Sequence, residues 1–187
     1  MTAHTTPSND AAHATLQQWL AEEEALLALR EQAKGVEVIS PELFKTQSGL
    51  EIMRSRMSGH AAFAHIGQTM NFMPVHVEEG SVIFQGAPQL AHYNPLGSVH
   101  GGWFATLLDS ALGCSVHTKL PAGRGYTTAE LSVNIVKALT IKVPRVRAIG
   151  RVLHCGRQLA TAEARLVGPD GTLYAHGTTT CLVFEMK

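Results

Sequence analysis

The sequence carries little charge, and its charges balance. Charged residues make up 16% of the 187 residues, and 15 lysines and arginines offset 15 aspartates and glutamates. A chain without net charge lacks the strongly basic surface that binds nucleic acid or an anionic membrane. We therefore expect neither nucleic acid nor a membrane as a partner.

Cysteines are few, and long apolar runs are missing. Cys114, Cys155 and Cys181 are odd in number and show no CxxC spacing. This pattern indicates small core side chains in a reducing compartment. No run approaches the ~18 apolar residues of a membrane helix, and the first residues lack the basic and apolar regions of a signal peptide. We expect a cytoplasmic protein.

Metal-ligand spacing is also missing, although the chain has 10 histidines. Ligand histidines occur at short, fixed spacings from other histidines, cysteines or acids. No such spacing involves the histidines of the central and C-terminal segments, which are His92, His100, His117, His154 and His176. We therefore expect no metal site.

The most informative stretch is NPLGSVHGGWFATLLDSALGCSV, residues Asn94 to Val116. It begins as a glycine-rich loop and continues as an apolar run of helical length with a single acid, Asp109, in its middle. A helix that is apolar nearly all round lies in the centre of a domain, and a buried carboxylate needs a partner or a purpose. Either neighbouring hydroxyls or amides satisfy Asp109, or it is catalytic. Glycines at the start of the helix favour catalysis, because free N–H groups at a helix N-terminus suit a developing oxyanion.

These residues form an ordered set. His100, Gly101 and Gly102 give an HGG tripeptide, Asp109 follows nine residues after the histidine, and Asn94 precedes it. This set resembles the hotdog-fold thioesterases of the PaaI-like (phenylacetic acid degradation) type, relatives of 4-hydroxybenzoyl-CoA thioesterase. The segments Thr127–Leu139 and Gly156–Val183 resemble the family's first strand after the central helix and its last two strands. The resemblance covers residues 68–184.

The resemblance implies an α+β hotdog fold, an antiparallel sheet wrapped around one long helix. It also implies an acyl-CoA thioesterase for aryl or medium-chain acyl groups, with no cofactor because CoA is part of the substrate. Family members form homodimers with paired sites between protomers, and we expect a dimer of dimers. Two alternatives stay open: a non-catalytic acyl-CoA sensor or scaffold, and a hydratase or dehydratase, which is disfavoured because such enzymes usually rely on a histidine.

The resemblance assigns catalytic roles to five positions. Asp109 is the base that activates water or the nucleophile that attacks the thioester, and the Gly101 N–H polarises the carbonyl unless this glycine only serves the turn. Asn94 holds the thioester or water, or else starts a turn. His100 contacts substrate or orients the loop through a backbone hydrogen bond. A hydroxyl from Thr128, or from Thr127, positions water or the carboxylate, and strand alternation lets only one of the two face the site.

Substrate binding is assigned less directly. Cations should lie along the CoA phosphates, and the predicted substrate-binding residues are Gly102, Lys137, Gly156 and Arg157. Many relatives have a proline near Lys137, which this chain lacks. Three arginines that fall on one face of a single predicted strand by period-2 spacing, Arg145, Arg147 and Arg151, are further candidates for nucleotide contacts. The candidates for the acyl pocket are Phe104, Leu108, Leu112 and Met73.

Helix geometry adds a constraint of its own. Eight residues separate Gly101 from Asp109, which corresponds to roughly 12 Å along a helix. A donor at the carbonyl oxygen and a base or nucleophile at the carbonyl carbon must both reach one reacting group. If both residues act, a second copy supplies one of them, and the site lies across a two-fold interface.

The remaining pattern predicts an N-terminal extension, residues 1–40, and a hotdog domain, residues 41–187. The extension contains one helix, Ala11–Ala33, in which Glu22 to Glu24 form a solvated face. Short helices are predicted from Pro41 and at Gly49–Gly59, followed by a turn at Ile66–Met70. The predicted strands are Phe72–Glu78, Ser81–Ala87, Tyr126–Val136, Val143–Cys155, Leu159–Gly168 and Thr172–Phe184.

Overall fold

A long central helix packs against one face of a six-stranded antiparallel sheet in the computed structural model, which describes residues 9–32, 38–60 and 64–186. The helices are α1 Asn9–Gln32, α2 Pro41–Thr46, α3 Gly49–Met57, α4 His65–Met70 and α5 Gly101–His117. The strands are β1 Phe72–Glu78, β2 Ser81–Gly86, β3 Arg124–Ile135, β4 Val146–Cys155, β5 Leu159–Val167 and β6 Leu173–Glu185. Their order across the sheet is β1-β2-β4-β5-β6-β3. The predicted α+β hotdog fold is confirmed.

Helix α5 holds its place because one stripe of its surface is apolar and the sheet comes close to it. The face that meets the sheet consists of side chains that are at most 1% exposed, Phe104, Leu107, Leu108, Ala111 and Leu112. Their spacing of three and four residues is that of a helix with one buried face. Gly150 in β4 permits the contact, since a Cβ there would lie 2.3 Å from the Ala111 carbonyl oxygen.

Strand β3 forms one edge of the sheet. It pairs with β6 on one side, with an irregularity between Thr128 and Glu130, and its other side meets no strand of the described residues. The strand is 12 residues long, so it exposes a long row of unpaired backbone groups. Such an edge is a template for pairing with another chain.

The segment before β1 differs from the sequence prediction. The expected turn at Ile66–Met70 is a six-residue helix, α4. Asn71 ends this helix in the left-handed conformation, with φ of 54°, which asparagine tolerates better than most residues. One helical turn therefore fits between Ala64 and the first strand. The other helices and strands begin and end within three residues of their predicted bounds.

Helix α1 lies on the sheet through an aromatic anchor and two ion pairs. Trp19 is 8% exposed, and the Arg147 guanidinium lies 4.4 Å from its ring centroid. Arg147 also binds Glu22 at 2.5 Å, and Arg145 binds Glu23 at 2.5 Å. The solvated face predicted for Glu22 to Glu24 is therefore wrong for Glu22 and Glu23, although Glu24 is exposed. The two arginines hold α1 rather than reaching toward a nucleotide. A salt bridge between two elements cannot be predicted from the sequence of either element alone.

The domain boundary between residues 40 and 41 stays a prediction. Among the described helices, none is both long enough and apolar enough to cross a membrane.

Candidate active site

Asp109 lies in the middle of α5 and is hydrogen-bonded to the neighbouring strand. The Thr128 hydroxyl on β3 donates to Asp109 Oδ1 over 3.0 Å. Both side chains are half-buried, whereas Thr127 is exposed. Strand alternation therefore turns Thr128 toward the helix and Thr127 away from it. Of the two threonines, only Thr128 is placed to orient the carboxylate.

The carboxylate opens onto a cavity of about 210 Å³. One wall belongs to α5 and contributes Asp109, Ser110, Gly113 and Cys114. The rest comes from α3, from residues 64–67, and from strands β1, β2 and β3, through Met53, Arg56, Ala64, Ile66, Gly67, Phe72, Pro74, Phe84, Tyr126 and Thr128. A mostly apolar hollow with a few polar groups beside a reactive side chain is the usual form of a small-molecule site.

The predicted acyl-pocket residues do not line this cavity. Phe104, Leu108 and Leu112 project from the face of α5 that meets the sheet, and each is at most 1% exposed. Met73 belongs to a separate apolar cluster with Val75. That prediction was wrong because apolarity in α5 marks the core face, whereas the cavity lies on the face that carries the single acid.

Two other polar groups of the cavity are held neutral. Burial raises the pKa of the Cys114 thiol to about 11, and it raises the pKa of the Tyr126 hydroxyl well above its usual value of 10. Neither group is therefore deprotonated near neutral pH. The cysteine is a poor nucleophile here, so Asp109 is the better candidate for attack or for proton removal.

The loop before α5 is ordered by His100. This residue is the N-cap of the helix, and its Nδ1 accepts a hydrogen bond from the Gly102 N–H over 2.9 Å. Of the roles that the sequence leaves open for His100, this contact supports the one in which it orients the loop. Among the hydrogen bonds formed between described residues, none uses the Gly101 N–H. That donor stays available at the positive end of the helix dipole.

Asn94 organises the same loop from the other end. Its Oδ1 accepts from the backbone N–H groups of Leu96 at 2.9 Å and Ser98 at 3.3 Å, and its Nδ2 donates to the Ser98 hydroxyl at 3.1 Å. These contacts make the Asx-type turn that an Asn-Pro pair favours. Asn94 does not line the cavity of Asp109.

Within one chain, the predicted catalytic residues form two separate groups. Asp109 and Thr128 meet at the cavity, whereas His100 and Gly101 lie at the start of α5 and Asn94 lies in the loop before it. The helical rise between Gly101 and Asp109 keeps the two groups roughly 12 Å apart. Gly101 is not part of the cavity wall. A single chain does not bring donor and carboxylate to one carbonyl.

The predicted CoA-binding residues are also divided. Lys137 is exposed just beyond the end of β3, where its Nζ lies 5.7 Å from the Tyr174 ring centroid. Gly156 and exposed Arg157 form the turn between β4 and β5, where the Arg157 carbonyl accepts from Arg124 at the start of β3. A strand of this length spans roughly 35 Å, so these cations cannot hold one CoA within one chain.

Sequence reasoning missed the second wall of the cavity, above all Arg56. One signal was available. In α3, Arg56 falls on the same helix face as buried Ile52 and Met53, so a cation interrupts an apolar stripe.

Metal ligands do not gather at this site, since the described part of the chain holds no group of three histidines, cysteines or acids that could bind an ion.

Comparisons with known proteins show the family of this chain. A family model of the thioesterase superfamily matches residues 96–175, which include α5 and the strands β3, β4 and β5. Over 132 residues the chain is 30% identical to a Caenorhabditis elegans protein named "Putative esterase F42H10.6", covering 67% of this chain and 73% of that protein. The chain belongs to the thioesterase superfamily. It is an enzyme of the thioester hydrolase type.

Solved structures of the PaaI-like kind share its fold. The phenylacetic acid degradation protein PaaI of Thermus thermophilus, solved as a mutant, superposes with a TM-score of 0.56 at 23% identity, covering 63% of this chain and 96% of that one. A hypothetical thioesterase protein of Streptococcus pneumoniae, solved with coenzyme A, gives a TM-score of 0.56 at 23% identity over 63% and 88% of the two chains. At these identities the likeness shows the fold.

Proposed function

We propose that this thioesterase hydrolyses acyl-CoA esters, with Asp109 as the residue that drives attack on the thioester carbonyl. The observation that carries the proposal is the Asp109 carboxylate, oriented by Thr128 at 3.0 Å, beside a mostly apolar cavity of acyl size. The Streptococcus pneumoniae protein of the same fold binds coenzyme A, which supports CoA as the thiol part of the substrate.

The chemistry needs only groups of this chain and water. Asp109 takes a proton from a water molecule as the water attacks the carbonyl carbon, or attacks that carbon itself. In the first route the carbon–sulfur bond breaks, the free acid forms directly, and the proton taken from water passes to the leaving CoA thiolate. In the second route the carbon–sulfur bond breaks as Asp109 forms a mixed anhydride with the acyl group, and water then hydrolyses this anhydride, which releases the free acid, restores the carboxylate and supplies the proton of the CoA thiol. The oxygen of the tetrahedral intermediate needs a donor, and the Gly101 N–H supplies it.

A second copy completes the site in this proposal, because Gly101 and Asp109 are too far apart in one chain. A Cβ built on Gly101 would lie 3.2 Å from Ile135 Cδ1, so the proposed oxyanion donor lies beside Ile135 near the end of β3. The Asp109 carboxylate lies beside Thr128, nearer the start of the same strand. We propose that two copies pair their β3 edges in the antiparallel direction, with the two-fold axis near Ser132. The partner's Ile135 then lies opposite Thr128, provided that the irregularity between Thr128 and Glu130 is kept. The partner's α5 then begins beside Asp109.

The proposed two-fold axis also brings the predicted CoA-binding residues of the two copies close together. It brings the partner's Lys137 toward the end of β3 where Arg124 and Arg157 lie, so cations from both copies can follow one chain of phosphates. Gly102 and Gly156 accompany these residues in the proposed substrate contacts. Pairing of such dimers into a tetramer stays a prediction.

The proposal is tested by CoA thiol release from a panel of acetyl, hexanoyl, lauroyl, phenylacetyl and hydroxybenzoyl esters. Asp109→Asn keeps the size of the side chain and removes its basicity, so we expect kcat to fall about a hundredfold or more. Asp10→Asn, at an exposed position of α1, is the matched control and should leave kcat unchanged. Binding of acyl-CoA without thiol release by the wild type would replace the enzyme with a sensor.

A further inference from the structure

The cavity wall that β1 contributes is a single strand with a second face behind it. Phe72 and Pro74 line the cavity, whereas Met73 and Val75 point the other way and form a separate apolar cluster. Successive side chains of a strand point to opposite faces of the sheet, so the two pairs lie on the two sides of one wall. The position of that wall depends on what packs behind it.

Helix α1 packs behind this wall. Its Leu26 lies against the apolar cluster on the back of β1. In β2, Phe84 faces the cavity, and the next residue, Gln85, is 2% exposed on the other side. The Gln85 amide donates to the Trp19 carbonyl over 3.2 Å and to the Glu23 carboxylate over 2.5 Å. Helix α1 is thus bound to both strands whose opposite faces form the cavity.

The C-terminal part of α1 also meets the end of α3. A Cβ built on Gly59, two residues after α3, would lie 2.7 Å from the Leu29 carbonyl oxygen. The two main chains therefore approach more closely than any side chain at position 59 would allow. Helix α3 contributes Met53 to the cavity wall. One helix, α1, contacts the strand wall of the cavity and the end of a helix that closes it.

Strand β1 gains from this support because the sheet holds it by few hydrogen bonds. It is an edge strand and pairs only with β2 among the described residues. Pro74 in its middle has no N–H to donate, and the pairing with β2 is irregular between Pro74 and His76. Such an irregularity interrupts the ladder of hydrogen bonds. Packing from α1 therefore stabilises a wall that the sheet alone holds loosely.

We propose that α1 limits the length of the acyl group, because it holds β1 and the end of α3 against the cavity. This inference rests on the proposed acyl-CoA hydrolysis and specifies its substrate range. A cavity of ~150 Å³ holds a benzene ring, so about 210 Å³ accommodates a phenylacetyl or hexanoyl group but not a lauroyl group. Helices α1 and α3 and strand β1 all precede residues 96–175, so the family match by itself does not set this limit.

The test compares kcat/KM for lauroyl-CoA and hexanoyl-CoA. The wild type should prefer hexanoyl-CoA. Trp19→Ala removes the ring whose centroid lies 4.4 Å from the Arg147 guanidinium, which loosens α1 and should raise the lauroyl-to-hexanoyl ratio about tenfold or more. One methylene that a hydrophobic pocket accepts or rejects changes kcat/KM by at least about that factor. Leu27→Ala, at an exposed position of α1, is the control and should keep the wild-type ratio.

Two further pairs of variants change the same contacts less. Gly59→Ala places a methyl group against the Leu29 carbonyl oxygen and should also raise the ratio. Gly123→Ala is its control, because Gly123 has φ of 81° with nothing within 4 Å of a built Cβ, and therefore shares the backbone strain without the contact. Glu23→Gln weakens the binding of α1 to the sheet, and Glu24→Gln, at the exposed neighbouring position, is its control.

A change in the ratio separates a role in specificity from a general loss of stability, which lowers the rates for both esters together. If Trp19→Ala does not fold, the glycine and glutamate pairs decide. Folded variants that cleave hexanoyl-CoA and keep the wild-type ratio overturn this inference alone, as does a wild type that prefers lauroyl-CoA. A wild type that cleaves neither ester, nor any other of the panel, overturns the proposed function itself.

Discussion

At the residue scale, His117 is a neutral imidazole enclosed by the core. It is 3% exposed, and its ring centroid lies 5.5 Å from that of Phe44 and 5.6 Å from that of Tyr126. Among the described residues, none offers a hydrogen-bond partner to its Nε2. Burial, together with the nearby charge of Arg56, lowers the pKa of His117 from 6.5 to about 4.

This histidine should destabilise the protein in mild acid. Because its pKa is lower in the folded state, the unfolded chain binds the extra proton between pH 6.5 and 4. Stability from this group is therefore complete above about pH 6.5 and is lost as the pH falls toward 4, by roughly 3 kcal/mol. Urea unfolding at pH 7.5 and pH 4.5 measures the loss. His117→Gln should show a smaller loss than the wild type, and equal losses would contradict the assignment.

The residues of the site differ in how far the sequence could predict them. Asp109 was predictable because one acid in an apolar helix is conspicuous, and it matched a family motif. Thr128 was narrowed to one of two neighbours, and only the register of β3 against α5 chose between them. Arg56 was not predicted: the break that it makes in the apolar stripe of α3 is visible in the sequence, but its position in the cavity depends on how α3 packs against the rest of the domain.

At the scale of elements, the start of α5 offers a direct test of the oxyanion donor. Gly101 is the first residue of the helix, where proline is well accepted because its ring fixes a helical φ. The preceding His100 has φ of −64° and ψ of 140°, a conformation that a following proline permits. Gly101→Pro therefore removes one N–H while the helix keeps its start.

We expect Gly101→Pro to lower kcat about a hundredfold, the usual loss of one oxyanion donor. Gly101→Ala is the matched control, since it adds the same Cβ, 3.2 Å from Ile135 Cδ1, but retains the N–H. Thiol release by the two variants, with circular dichroism to confirm folding, decides the matter. Equal rates for the proline and alanine variants would remove Gly101 from the proposed mechanism.

Helix α1 shows what an element's sequence leaves undetermined. Its bounds followed from apolar spacing, yet its docking depends on Glu22 and Glu23 meeting two arginines more than a hundred residues away. Seen alone, the glutamates looked solvated and the arginines looked available to a phosphate. Charge pairing between distant elements is a tertiary property, so neither assignment could be corrected before the fold was known.

At the scale of the whole molecule, the proposed dimer fixes one residue on its two-fold axis. Residues opposite each other on antiparallel strands have Cα atoms about 4.5–5.5 Å apart, which is within the range of a disulfide. Ser132→Cys should therefore form a disulfide-linked dimer on mild oxidation, seen on a non-reducing gel. Thr178→Cys, on the adjacent strand β6 opposite Ser132, is the control and should stay monomeric on that gel.

A functional arm tests whether the sites are shared. Protomers carrying Asp109→Asn and protomers carrying Gly101→Pro are each nearly inactive, but a mixed dimer contains one site with both intact residues. Random pairing of equal amounts should restore about a quarter of wild-type activity. If the mixture stays as inactive as its components, each chain forms its own site and the proposed axis is wrong.

The sequence by itself determined the fold class, the central helix and the strands, because each depends on a local period or a short ordered motif, and it singled out Asp109 as the candidate catalytic acid. Tertiary structure decided which face of α5 borders the cavity, which threonine meets Asp109, and where Arg56 lies. Those outcomes depend on the packing of elements distant in the chain. Helix geometry alone places the Gly101 N–H and the Asp109 carboxylate roughly 12 Å apart. The sequence therefore already predicted that the site is shared between two copies if both residues act.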